Sequence, residues 1–133
     1  MKTPSLALLK GIFQNYPDIM AVYLFGSKAA DKNIHAESDL DLAIVPKNSE
    51  LRNHKLDILT DLAGSGFDNV DLVFLDTTDI VLKFEAIRQN RVVYARTEFD
   101  TSSYYSLIVR QYFDFLPYLD VQREAYKRRI LDG

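Results

Sequence analysis

Asp39-Leu40-Asp41-Leu42-Ala43-Ile44-Val45 reads as a β-strand closed by Pro46, and its two aspartates decide what the rest of the chain must do. Side chains alternate along a strand, so Asp39 and Asp41 project from one face with Cα atoms about 6.5–7 Å apart, while Leu40 and Leu42 face the other way. Two like charges among apolar neighbours are costly, because they repel and because desolvation penalises each. A cation between them removes that cost, and a divalent metal is the simplest.

Outward from this strand, helix and strand signals alternate. Thr3-Pro4 opens a helix with a hydroxyl N-cap and a proline at the first position, and Leu6, Leu9, Ile12, Phe13 and Tyr16 follow at helical spacing until Pro17-Asp18. Ile19 to Phe25 is a continuous apolar, β-branched and aromatic run, which predicts a strand covered on both faces; Gly26-Ser27 stops it. After the aspartate strand, Leu51, Leu56, Leu59, Leu62 and Ala63 mark a helix over 49–63, ended by Gly64-Ser65-Gly66. Val70 to Leu75 is a third strand. Asp76-Thr77-Thr78-Asp79 reads as a turn and N-cap for a helix through Ile80, Phe84, Ile87 and Arg88, with Asn90 as its C-cap, and Arg91 to Tyr94 is a short edge strand. Thr97 to Gly133 reads as helical, kinked or broken at Pro117. This alternation predicts an α/β sheet of about four strands with helices appended at the C-terminus.

Asp71 begins the third strand, where Val70, Leu72, Val73 and Phe74 would lead one to expect an apolar residue. Three carboxylates, Asp39, Asp41 and Asp71, mounted on strands are hard oxygen ligands suited to Mg²⁺, which keeps some waters and takes further ligands from substrate phosphates. Gly26-Ser27 offers backbone N–H groups and a hydroxyl to such phosphates, and Lys28 adds a positive charge beside them. The other signals are weaker. His35 and His54 have no second histidine at ligand spacing. Gly64-Ser65-Gly66 follows a helix and precedes a strand, the reverse of the order in a phosphate loop.

Composition narrows the possibilities further. The chain has 133 residues, 47% of them apolar, and no cysteine, so one domain with its own core is expected, without disulfides, Cys-ligated zinc or a thiol nucleophile. Sixteen Lys and Arg against nineteen Asp and Glu give a net charge of −3, which argues against a general nucleic-acid surface and against stable nucleic-acid binding. Met1 to Lys10 has too short an apolar run for a secretory signal, and no stretch approaches the roughly eighteen apolar residues of a membrane span, so a cytoplasmic location is expected.

Leu24-Phe25-Gly26-Ser27, then eleven residues, then Asp39-Leu40-Asp41, then a strand carrying Asp71, resembles the Gly-Ser and Asp-x-Asp signature of the DNA polymerase β-like nucleotidyltransferases, specifically the minimal nucleotidyltransferase (MNT) group. The family pattern usually has ten residues between the Ser and the first Asp. The resemblance covers Met1 to about Tyr94. It implies a mixed sheet with flanking helices, ATP as co-substrate with Mg²⁺, two ions in a two-metal carboxylate site, and transfer of a nucleoside monophosphate with release of pyrophosphate. It further implies that Asp39 and Asp41 are the metal-binding pair, that Asp71 helps bind metal and activate the attacking hydroxyl, and that Gly26 and Ser27 form the triphosphate turn. On this basis residues 1–96 are the catalytic core and 97–133 a helical extension of the same domain.

Residues 99–126 hold eight aromatics. Tyr104, Ile108, Tyr112, Phe115 and Leu119 form one helical stripe, and Tyr105, Val109, Phe113 and Leu116 form its neighbour, so the helix must be covered on more than one side. One side suits the sheet. The other suits a protein partner, which makes Tyr104, Tyr105, Tyr112, Phe113, Phe115 and Tyr118 candidate interface residues. Stand-alone proteins of the MNT group often act as antitoxins to HEPN-family RNases. The resemblance therefore implies that the chain transfers AMP to a tyrosine of a HEPN-type toxin. The chain has no Arg followed four to six residues later by His, the arrangement expected of the RNase itself, which makes it the antitoxin. Two other readings stand beside this one: an antitoxin that acts by binding alone, and a nucleotidyltransferase for a small molecule such as an aminoglycoside, although 133 residues leave little room for the acceptor domain of the latter.

Overall fold

In the computed structural model, which describes residues 6–26 and 39–132, a four-stranded mixed sheet lies between two layers of helix. The elements in chain order are α1 (Leu6–Phe13), β1 (Ile19–Phe25), β2 (Leu40–Pro46), a 3-10 helix (Ser49–His54), α2 (Lys55–Gly64), β3 (Val70–Phe74), α3 (Ile80–Ile87), β4 (Val92–Ala95) and α4 (Thr101–Asp132). The sheet order is β3-β2-β1-β4. β1 is antiparallel to both of its neighbours, and β2 runs parallel to β3 through the crossover helix α2.

Strand alternation splits the core in two. Leu40, Leu42 and Ile44 join Val22 and Leu24 on one face, under Leu9 and Phe13 of α1 and Ile58 and Leu62 of α2. On the opposite face Ala21, Tyr23 and Ala43 pack with Leu75, with Ala86 and Ile87 of α3, and with Ile108 of α4. Each fully buried Leu, Ile or Phe contributes about 1.5–3 kcal/mol. Local chemistry fixes the element ends. The Asp79 carboxylate accepts from Leu82 N at 3.1 Å and caps α3, and Asn90 turns the chain at φ +52°. At the end of α2, Gly66 N donates to Ala63 O (3.0 Å) and Phe67 N to Leu62 O (2.9 Å), with Gly66 at φ +99°. The Tyr16 hydroxyl donates to Asp61 and ties α1 to α2.

Several expectations need correcting. Asp39 stands just before β2, because the ladder begins where Leu40 N donates to Asn69 O at 2.8 Å, and the strand continues through Pro46, which pairs with Ile19. The segment expected as one helix over 49–63 begins instead as a 3-10 helix. Leu51, Ile58 and Leu62 form its inward face, and Leu56, well off that face, is 76% exposed. Pro117 does not break α4, which runs through it for 32 residues. The carbonyl that Pro117 cannot satisfy belongs to Phe113, whose residue is exposed, so water can take it. The Thr3-Pro4 cap lies outside the described residues.

These burials set an expected contrast. Leu42→Ala should lower stability by about 2–5 kcal/mol and Leu56→Ala by no more than about 0.5 kcal/mol. Urea unfolding midpoints check both, and a large loss at Leu56 would contradict its place off the inward face of this segment.

Candidate active site

The carboxylates gather where the C-terminal end of β1 meets the N-terminal ends of β2 and β3. Phe25 pairs with Asp41, and Asp41 pairs with Asp71, so the three residues form one row across three strands. Neighbouring strands lie about 4.8 Å apart, which brings the two carboxylates side by side. Because Leu40, Leu42, Leu72 and Phe74 belong to the core under α1 and α2, Asp41 and Asp71 project from the other face, the one that carries α3 and α4. Asp41 is half-buried; Asp39 and Asp71 are exposed.

Gly26 closes the row at φ +78°, a conformation L side chains rarely adopt. A Cβ there would collide with Oδ2 of Asp41 and stand 3.3 Å from its Cγ. Burial pushes the Asp41 carboxyl pKa above the usual carboxylate value, and the negative charges of Asp71 and Asp39 push it further.

Asp39, Asp41 and Asp71 share a cleft of about 560 Å³ with Asp68 and Asn69, which the sequence reading did not single out. Their signal was their position, immediately before the strand that carries Asp71; the Leu40 N to Asn69 O bond holds that loop against β2. Among the described residues, no group of three or more His, Cys, Asp or Glu side chains is drawn tightly enough together to enclose a metal ion. A metal here would need substrate phosphates and water to complete its shell. Ser27 and Lys28, the rest of the expected triphosphate turn, lie outside the described residues, as does His35. His54 is exposed beside Asp57.

The aromatic candidates divide. Tyr104 and Tyr105 pack onto the core beneath α4, Tyr104 with its ring 6.1 Å from that of Tyr23. Tyr112 stacks on Phe84 of α3 at 3.8 Å, with the rings 2° from parallel. Phe115 is half-buried. Phe113 (59% exposed) and Tyr118 (68%) face solvent, joined farther along α4 by Val121, Tyr126 and Ile130. Among the described residues no helix is long and apolar enough to cross a membrane.

A family model described as polymerase beta, nucleotidyltransferase, matches residues 8–99, which spans β1 to β4 and every carboxylate of the cleft. The chain belongs to that family. The fold of this nucleotidyltransferase is shared with solved toxin–antitoxin structures over nearly its whole length. One, a toxin–antitoxin with AMP-PNP, is 19% identical with a TM-score of 0.71, covering 96% of this chain and 99% of that one. A second holds a tri-AMPylated Shewanella oneidensis HEPN toxin in complex with an MNT antitoxin, at 20% identity and a TM-score of 0.66, with 95% of each chain covered. A third, MntA-HepT, is 20% identical with a TM-score of 0.65 over 95% of this chain and 96% of that one. No curated protein matches the chain at a significant level.

The raised Asp41 carboxyl makes the nucleotidyltransferase core less stable than a neutral side chain would. With the folded value above the unfolded one, this penalty is absent below about pH 4 and develops as pH rises through the folded value. Asp41→Asn should therefore raise the melting temperature at pH 7 in the absence of nucleotide, and the gain should vanish in acid. Thermal melts from pH 3 to pH 8 check this; a gain that does not change with pH would contradict the electrostatic cause.

Proposed function

We propose that this nucleotidyltransferase is an antitoxin that acts as a Mg²⁺-dependent protein adenylyltransferase, moving AMP from ATP to a tyrosine of a HEPN-type RNase toxin. The observation that carries the reading is the row formed by Phe25, Asp41 and Asp71, with Gly26 at its end, inside a segment that the family model matches. The shared fold with antitoxins solved beside HEPN toxins and with an ATP analogue supports the partner and the nucleotide.

In this reading the acceptor hydroxyl oxygen forms a bond to the α-phosphorus of ATP, the bond from that phosphorus to the bridging oxygen breaks, and pyrophosphate leaves. Asp71 takes the hydroxyl proton. Asp39 and Asp41, with Asp71, would hold Mg²⁺, which when bound would supply the positive charge that orients the triphosphate and stabilises the attacking and leaving oxygens. Gly26, Ser27 and Lys28 seat the phosphates. The open, polar cleft suits a hydroxyl presented by another protein, since it has few apolar walls to enclose a small acceptor.

Residues 97–133 are the partner-binding part, and the division of the aromatics refines which side chains serve. Tyr104 and Tyr112 pack on Tyr23 of β1 and Phe84 of α3, so the contact falls to the exposed Phe113 and Tyr118, extended by Val121, Tyr126 and Ile130.

Two measurements test this reading. With α-labelled ATP and Mg²⁺, label should appear on the co-encoded partner and be lost by at least 100-fold in Asp39→Ala/Asp41→Ala. If that variant still neutralises the partner, the protein acts by binding, and label on a small molecule instead would favour the aminoglycoside-type activity. Separately, Tyr126→Asp should weaken capture of the partner at least tenfold, about 1.4 kcal/mol, with no change in melting temperature. Tyr104→Ala should instead lower the melting temperature.

A further inference from the structure

Gly26 meets two separate demands, and only one of them is conformational. Its φ of +78° favours glycine, yet Asn and Asp also visit that region at modest cost. The second demand comes from space: a Cβ would overlap Oδ2 of Asp41 and press to 3.3 Å from Cγ of the same residue, so the carboxylate would have to shift. The three nearest atoms to that missing Cβ among the described residues all belong to Asp41. The register explains why, since Phe25 is directly opposite Asp41, and the residue after it must pass over the carboxylate as the chain leaves the sheet.

We propose that Gly26 is a positioning residue for Asp41: by presenting no side chain, it leaves free the space across the end of β1 that the carboxylate occupies beside Asp71. This role differs from seating phosphates, which needs backbone N–H groups and would tolerate a Cβ directed elsewhere. A side chain at position 26 would displace the Asp41 carboxylate from the place it now takes beside Asp71. The proposal rests on the adenylyltransferase reading only for its kinetic consequence; the contact itself is a property of the folded chain.

A double-mutant cycle on Gly26→Ala and Asp41→Ala, read as melting temperature without nucleotide, tests the contact. The fall caused by Gly26→Ala should shrink by at least half when Asp41 is already alanine, leaving the cost of positive φ; an equal fall in both backgrounds overturns the proposal. Gly26→Asn, which tolerates the backbone conformation but carries a Cβ, should fall with Gly26→Ala, and behaviour like the parent chain overturns it. If Gly26→Ala does not fold, the cycle still decides, because a folded double variant supports the contact and an unfolded one overturns it. In adenylyl transfer, Gly26→Ala should lower kcat at least 100-fold, whatever its effect on KM for ATP. A raised KM with kcat kept would leave Gly26 with phosphate seating alone and overturn the positioning role. A parent chain that transfers no AMP would defeat the functional reading while the stability cycle still reports on the contact.

Discussion

Asp41 stands between two strands that hold it for different reasons, and the organisation of the site follows from that position. On one side β1 sets Phe25 opposite it and then turns away at Gly26; on the other, parallel β3 sets Asp71 beside it. Neither neighbour can shift alone, because β1 is buried along most of its length and β3 is pinned through Leu72 and Phe74 in the same core as Leu40 and Leu42. A slip of one residue in either ladder would move every side chain of that strand to the wrong face. The apolar core under α1 and α2 thus fixes the spacing of carboxylates on the opposite face.

That opposite face has two tasks. Its lower rows, Ala21, Tyr23, Ala43 and Val45, are covered by α3 and the first half of α4, while the row of Asp41 and Asp71 opens into the cleft. α4 accordingly changes character along its length. Around Tyr104, Ile108 and Tyr112 it is a core helix, and from Asp120 to Ile130 every residue is exposed. Thirty-two residues at about 1.5 Å each extend well beyond what a sheet with strands of at most seven residues can cover.

Much of this was legible in the sequence. The apolar run Ile19 to Phe25 matched β1 at both ends, and Asp79 capped its helix as its side chain predicts, since both signals are local. The juxtaposition of Asp41 with Asp71 was implied by residue type, and the register supplied it. The reading failed where a neighbour decided the outcome. A helical pattern over 49–63 cannot reveal that its first turn is 3-10, because Leu51 and Leu56 are apolar in either case. Nor could periodicity divide the aromatics of α4. Tyr112 and Phe113 are adjacent in sequence, and only the ring of Phe84 makes the first a core residue. Asp68 and Asn69 read as loop because nothing local distinguishes a cleft wall from a turn.

The electrostatics of Asp41 link stability to chemistry. Its carboxyl is pushed up by burial first and by Asp71 and Asp39 after it, so folding concentrates negative charge that the unfolded chain keeps apart. A site optimised for the stability of the empty protein would carry an uncharged residue there, as the positions on either side of it in β2 do. Protonation relieves the cost, and in the proposed reading a bound cation would offset the repulsion from Asp71 and Asp39 and stabilise the folded state by mass action. The backbone that imposes this cost is the same backbone that places Gly26 over the Asp41 carboxylate. The register keeps Asp41 beside Asp71, and in the proposed reading their repulsion would favour binding of a cation.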